Sequence, residues 1–173
     1  MGSTDFKTEL TALLPRLRRF ALAKVGDPAA ADDLVQAACE RAWRARDKWV
    51  PGTRMDSWMF TIMQNLHIDE IRAASARGIN EGSEALELVE DHQWSRRVEA
   101  GVALDQVVRI MRQLPESMRE VLALVPIEGL SYQEAAAVLG VPVGTVMSRL
   151  ARARAELMRR LQPDAGAAGW ATT

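Results

Sequence analysis

Residues 131 to 154 constrain this chain more than any other stretch, because they carry the start, the stop and the restart of a helix in quick succession. Ser131 and Glu134 stand at capping-box spacing, in which a hydroxyl and a carboxylate satisfy the free amides of a helix start. Tyr132, Ala135, Ala136 and Leu139 then form an apolar stripe at helical spacing. Gly140 supplies a left-handed stop, and Pro142 is pre-set for the first turn of the next helix. Two helices joined by so short a turn predict a helix-turn-helix.

The second of these helices has two distinct faces. Val146, Leu150, Ala153, Leu157 and Leu161 fall on one side, which must pack on the rest of its domain. The other side carries Thr145, Ser148, Arg149, Arg152 and Arg159, with small Gly144 and Ala151 permitting close approach. Between residues 142 and 161 there are five arginines and one acid, Glu156. Arginine can bond guanine O6 and N7 together, and hydroxyls suit base edges or phosphates, so this face fits a DNA major groove. The plain alternative is a solvated arginine-rich face; the capping box, the glycine turn and the basic face together favour DNA.

The whole chain of 173 residues has a formal net charge of −1, which by itself points to no polyanionic partner. Segment by segment the charge separates. Residues 1–77 hold 12 basic and 10 acidic side chains, residues 78–104 hold 2 and 6, and residues 105–161 hold 8 and 6. Glu81, Glu84, Glu87, Glu90 and Asp91 lie in a run with Gly78, Gly82 and Ser83 and without Lys or Arg, the pattern of a flexible acidic linker. A short amphipathic helix over Leu86 to Val89 fits part of it equally well. The Gly/Ala-rich residues 162–173 read as a disordered tail.

The N-terminal unit reads as a small helical bundle. Phe6, Leu10, Leu13, Leu14, Leu17, Ala21 and Val25 repeat at helical spacing, with Pro15 expected to kink or split the helix. Asp27-Pro28 opens a second helix with an inward stripe of Leu34, Val35, Ala38, Cys39, Ala42 and Trp43. Asp33, Gln36, Glu40 and Arg44 fall on its outer face. After a loop with Lys48, Trp49, Pro51 and Gly52, a third helix capped by Asp56 or Ser57 packs Trp58, Met59, Ile62, Met63 and Leu66 inward. The expected fold class is all-α: two small helical domains, 1–77 and 105–161, joined by the acidic linker 78–104. One cysteine excludes an internal disulfide, the longest apolar runs fall short of a membrane span, and the N-terminus lacks a signal-peptide pattern, so an intracellular protein without membrane insertion is expected.

The residues also resemble a family. GLSYQEAAAVLG at 129–140, GTVMSRLARAR at 144–154 and LPESMREVL at 114–122 are similar to the C-terminal helix-turn-helix (region 4) of extracytoplasmic-function (ECF, group IV) sigma factors of bacterial RNA polymerase. ADDLVQ at 31–36 leading to RAW at 41–43, and SWMFTIMQN at 57–65 leading to IDEIR at 68–72, resemble that family's N-terminal domain (region 2). The resemblance covers most of residues 6–161. It implies a cytoplasmic promoter-specificity subunit of the kind that serves stress responses, with no cofactor and no metal.

By the same resemblance, Asp32, Asp33 and Gln36 dock on the clamp helices of the polymerase's largest subunit, although helix N-terminal carboxylates also suit the dipole. Lys48, Trp49, Arg54, Thr61, Asn65 and Arg72 handle the minus-ten element, a core role for Trp49 being no less favoured. Thr145, Ser148, Arg149 and Arg152, with Arg154 at the margin, read or grip the minus-35 element. The implied partners are core RNA polymerase, through the clamp helices of its largest subunit and the flap of its second-largest, promoter DNA and an anti-sigma factor. Met147 stands where many family members carry Lys or Arg, and Pro126 predicts an early helix stop.

Three rivals are weaker. A sigma-like decoy that binds an anti-sigma factor without a promoter should lose Thr145, Ser148, Arg149 and Arg152, which are present. A simple repressor leaves the linker and the first unit unexplained. An enzyme has only Cys39, His67 and His92 as candidates, without a paired base or metal-ligand spacing.

Overall fold

The computed structural model describes residues 2–78 and 101–161; most of the expected linker, the candidate helix over 86–89 and the tail lie outside the described residues. The described residues are helical with short connections. The N-terminal unit comprises α1 (Gly2–Val25), α2 (Pro28–Arg44), a 3-10 turn (Arg46–Lys48) and α3 (Met55–Ala76). The C-terminal unit comprises α4 (Gly101–Arg112), α5 (Glu116–Leu122) with a following π-turn (Ala123–Ile127), α6 (Tyr132–Leu139) and α7 (Val143–Leu161).

Local chemistry accounts for most of these boundaries. Asp27 caps α2 by accepting the Ala30 amide at 2.8 Å, and Pro28 opens its first turn. Ser131 and Glu134 form the complete capping box of α6. Gly140 ends that helix at φ 66°, its amide donating to the Ala136 carbonyl. The axes of α6 and α7 meet at 102°, within the range of a helix-turn-helix.

Several sequence expectations are corrected. Pro15 does not split α1, which runs unbroken; it lies on the exposed side, where water can take the carbonyl its missing N–H leaves free. No side chain caps α3. Its N-cap is Arg54, and Asp56 instead accepts the Ser57 amide and two arginines. Leu14, Trp43 and Tyr132, expected inside, are exposed. At Pro126 the helix widens before it stops, with Glu128 N donating to Ala123 O and Leu130 N to Leu124 O, both at 2.9 Å.

The largest departure is how the two units meet. They share one continuous apolar cluster, from Phe6, Leu17 and Phe20 on α1 through Met59 and Met63 on α3 to Leu114, Leu124, Leu139 and Leu150. Helix α1 packs on α5, and α3 packs on α6.

Candidate nucleic-acid interface

Helix α7 is held by its apolar face. Val146, Leu150 and Ala153 are buried against α5 and α6, which leaves the opposite side to solvent. Ser148, Arg152 and Arg154 are exposed, Thr145 is half-buried, and Met147 projects between them. The Ser148 hydroxyl donates to Thr145 O at 3.1 Å, and Arg152 Nε reaches back to Ser148 O at 3.3 Å. These are weak tethers that a nucleic-acid oxygen can replace. A turn further on, Glu156 binds Arg159 and Arg160, whose hydrogen bonds hold its carboxyl down at about 2. That pairing neutralises part of the helix's distal charge, and the basic surface left over lies nearer its N-terminus.

Arg149 is the exception among the expected DNA-reading residues. Its side chain is half-buried and donates Nη1 to Glu120 Oε1 at 3.0 Å. Glu120 is itself buried, and its other oxygen accepts Lys24 Nζ from α1 at 2.9 Å. A carboxylate of α5 thus joins a lysine of the N-terminal unit to an arginine of the recognition helix.

In the N-terminal unit the expected residues divide. Lys48, Asn65 and Arg72 are exposed and clear of ion pairs among the described residues. Arg54 is committed, with Nη2 on Asp56 and Nη1 on Glu134 of α6, both at 2.8 Å. Thr61 is half-buried and donates to Ser57 O. Trp49 is corrected to a core residue: it is 8% exposed, packs edge-on against Phe6 at 5.6 Å, and offers no face on which a base could stack. Exposed Trp43 lies under the Arg46 guanidinium at 5.3 Å. On α2, Asp33 is exposed, Asp32 pairs with Arg18 at 2.8 Å, and Gln36 donates to Glu40 at 3.3 Å. The three point to solvent from one helix.

Sequence reasoning missed a set of charged residues between the units. Glu128, with its side chain 1% exposed, accepts Arg16 Nε at 2.6 Å and Arg19 Nη2 at 2.9 Å. Lys24, equally buried, lies 3.0 Å from Glu116 and 2.9 Å from Glu120. Arg119 donates to Ala23 O at 2.6 Å and Lys24 O at 3.1 Å, closing the carbonyl end of α1 from the other unit. Burial pushes the Glu116 carboxyl up, but His67 at 3.2 Å and Lys24 outweigh it and hold it at about 2. At Asp56 burial likewise opposes ionisation, and Arg54, the Ser57 amide and Arg16 together bring it to about 2. The available signal was the presence of Lys24 and Glu120 inside otherwise apolar stripes.

The enzyme candidates carry no catalytic arrangement among the described residues. Cys39 is half-buried and burial raises its thiol, while His67 faces Glu116. His92 lies outside the described residues. Among the described residues no group of three or more His, Cys, Asp or Glu is placed to hold a metal ion, and no single described helix is long and apolar enough to cross a membrane.

Comparison with known proteins matches residues 10–77 to Sigma-70 region 2 and residues 104–157 to Sigma-70 region 4. The chain is 35% identical to the ECF RNA polymerase sigma factor EcfG of Rhodopseudomonas palustris, over 95% of this chain and 90% of that one. It is 31% identical to the ECF RNA polymerase sigma-E factor of Escherichia coli K12, over 76% of this chain and 73% of the other. Among solved structures, it is similar to the sigma factor RpoE in complex with the anti-sigma factor NepR from Bartonella quintana, with TM-score 0.76, 32% identity and coverage of 92% and 98%. It is also similar to CnrH in complex with the cytosolic domain of CnrY, with TM-score 0.58, 27% identity and coverage of 92% and 88%.

Proposed function

The chain belongs to the extracytoplasmic-function sigma factors of bacterial RNA polymerase, and from that membership we propose a division of labour among its residues. It is an alternative sigma factor, which binds core RNA polymerase and directs promoter-specific initiation. It is a regulator of transcription, and its site of action is the cytoplasm.

The C-terminal unit, 105–161, takes the minus-35 element through Thr145, Ser148, Arg149 and Arg152, with Arg154 on the adjoining backbone. The observation that carries this reading is the face of α7: hydroxyls and arginines on the side opposite the buried Val146, Leu150 and Ala153. The N-terminal unit, 1–77, takes the minus-ten element through Lys48, Arg54, Thr61, Asn65 and Arg72. Exposed Asn65 and Arg72 on α3 and Lys48 before it support this. Asp32, Asp33 and Gln36 dock on the polymerase clamp, and the outward set of all three supports that role. The linker expected at 78–104 joins the two units up to the start of α4 at Gly101, so that the second contact becomes intramolecular once the first is made.

An anti-sigma factor controls the protein in this reading. The groove between α1, α4 and α5, walled by Leu22, Val108 and Met111 and rimmed by Arg19, Arg112 and Arg119, suits an apolar helix with acidic flanks. Transcription in vitro with purified core polymerase and mapped start sites tests the whole reading. Specific starts that depend on the added chain support it, and their absence with a correctly folded chain refutes it.

A further inference from the structure

We propose that Met147 is a base-reading residue: in the minus-35 element the end of its side chain packs against the C5 methyl of one thymine. The proposal rests on the placement of α7 in the major groove of that element, and the experiment below separates the failure of one from the failure of the other.

Position comes first. Met147 is the fifth residue of α7, and the N-terminal turns of a recognition helix are the part that meets base edges. Its side chain is 51% exposed and lies outside the arc held by buried Val146, Leu150 and Ala153. One turn to either side stand Gly144 and Ala151, both exposed and small, and a Cβ built on Gly144 would meet nothing within 4 Å. Nothing on the helix therefore screens Met147 from a groove about 12 Å wide. Exposed Ser148 and Arg152 lie beside it and supply polar contacts of their own.

Chemistry then selects the contact. A thioether has no charge with which to grip a phosphate and no N–H or O–H to donate, and its sulfur accepts only weakly. Pressed on a polar base edge it would displace water without returning a hydrogen bond, which costs free energy. The major groove offers one apolar feature, the thymine methyl. Methionine is unbranched and turns about three bonds, so it can follow that methyl over a range of helix positions. An exposed apolar side chain is ordinary in itself. What sets Met147 apart from Met158, equally exposed at 55%, is its place on the helix. Met158 lies on nearly the same side but about 16 Å further along the axis at ~1.5 Å per residue, next to an Arg159 already paired with Glu156. The chain thus carries its own control for an exposed methionine outside the reading turns.

The test uses the full chain with core polymerase on a duplex promoter whose start site has been mapped by transcription in vitro. Each thymine of the minus-35 element, on both strands, is replaced singly by deoxyuridine, which removes the C5 methyl and keeps every hydrogen-bonding group. One replacement should weaken binding of the parent chain about fourfold, the effect of one apolar carbon losing its contact. Met147→Ala should bind the unmodified promoter at least that much more weakly and be indifferent to the replacement. Met147→Leu keeps an apolar end and should stay sensitive, and Met158→Ala should behave as the parent does. Circular dichroism verifies that each variant keeps its helix, which substitution at these exposed positions should leave intact. A parent indifferent to every replacement, or a Met147→Ala variant as sensitive as the parent, would overturn the methyl contact. Arg152→Ala reports on the reading beneath it. If that variant loses its minus-35 preference while the methyl is ignored, the Met147 contact alone is overturned; if it and the Met147 variants all keep the parent's preference, α7 does not read the element and the placement fails with it.

Discussion

Glu128→Gln separates what burial does from what the mere presence of an ion pair does, because Glu134→Gln provides a matched exposed control. The substitution at 128 would keep the shape of the side chain but remove its charge, and the new amide nitrogen would face an arginine. Breaking one partner of a buried pair costs ~3–5 kcal/mol in general. Here the arginines are partly exposed, 29% for Arg16 and 38% for Arg19, and Arg16 keeps Asp56 at 3.0 Å, so the cost falls to about 2–3 kcal/mol. For a chain of this size that lowers Tm by roughly 4–12 °C. Glu134→Gln preserves a capping-box residue and loses only the pair with Arg54, whose side chains are 48% exposed for Arg54 and 32% for Glu134, so that water and salt screen most of what the pair contributes. Thermal melts followed by circular dichroism at about 0.1 M and 1 M salt provide the assay. The Glu128→Gln deficit should persist at high salt while the Glu134→Gln deficit shrinks. Equal deficits in the two variants, or a Glu128→Gln deficit that salt abolishes, would refute the argument from burial.

Arg149→Ala or Arg152→Ala should each cost ~1–3 kcal/mol of promoter discrimination, read as a loss of minus-35 preference in binding to mutated promoters; an unchanged preference removes that base contact. Asp33→Arg should weaken binding to core polymerase and leave start-site choice intact, as measured by titration and transcript mapping. Asp56 and Glu116, each held at about 2, contribute stability that is complete above their ordinary values of 3.8 and 4.5 and is lost as pH falls toward 2. Acid titration of the melting temperature should show that decline between about pH 4.5 and 2, and a flat profile there contradicts the ion pairing. Gly140→Ala has open space around its new Cβ but must hold φ near 66°, so urea unfolding should show a loss of ~1 kcal/mol from backbone strain alone.

What could be read in the sequence was whatever local chemistry decides. The Ser131–Glu134 box, the Gly140 stop and the Asp27-Pro28 start act over a few residues, and each stands where its spacing placed it. Periodicity separated the two faces of α7 for the same reason. It failed at Leu14, Trp43 and Tyr132, since a helical repeat says which residues share a side but not how far a neighbouring helix extends over it. Trp49 shows the same limit from the other direction: a tryptophan in a basic loop suits a base, and only the position of Phe6 reveals that the ring is already covered. The contact between the units was illegible because its members pair across the chain: Arg16 with Glu128 is a separation of 112 residues, and nothing at either end names the other.

The Arg119 fork on the carbonyls of Ala23 and Lys24 has a consequence for synthesis on the ribosome. The contact spans 96 residues, so α1 leaves the exit tunnel with its last carbonyls open and Lys24 without Glu116 or Glu120. At ~5–20 residues per second, the N-terminal unit waits about 5–20 s for the segment that completes it. Throughout that interval the surface of α1 that later meets α5 is uncovered, and a nascent chain is open to other proteins on the very face that the finished one keeps to itself.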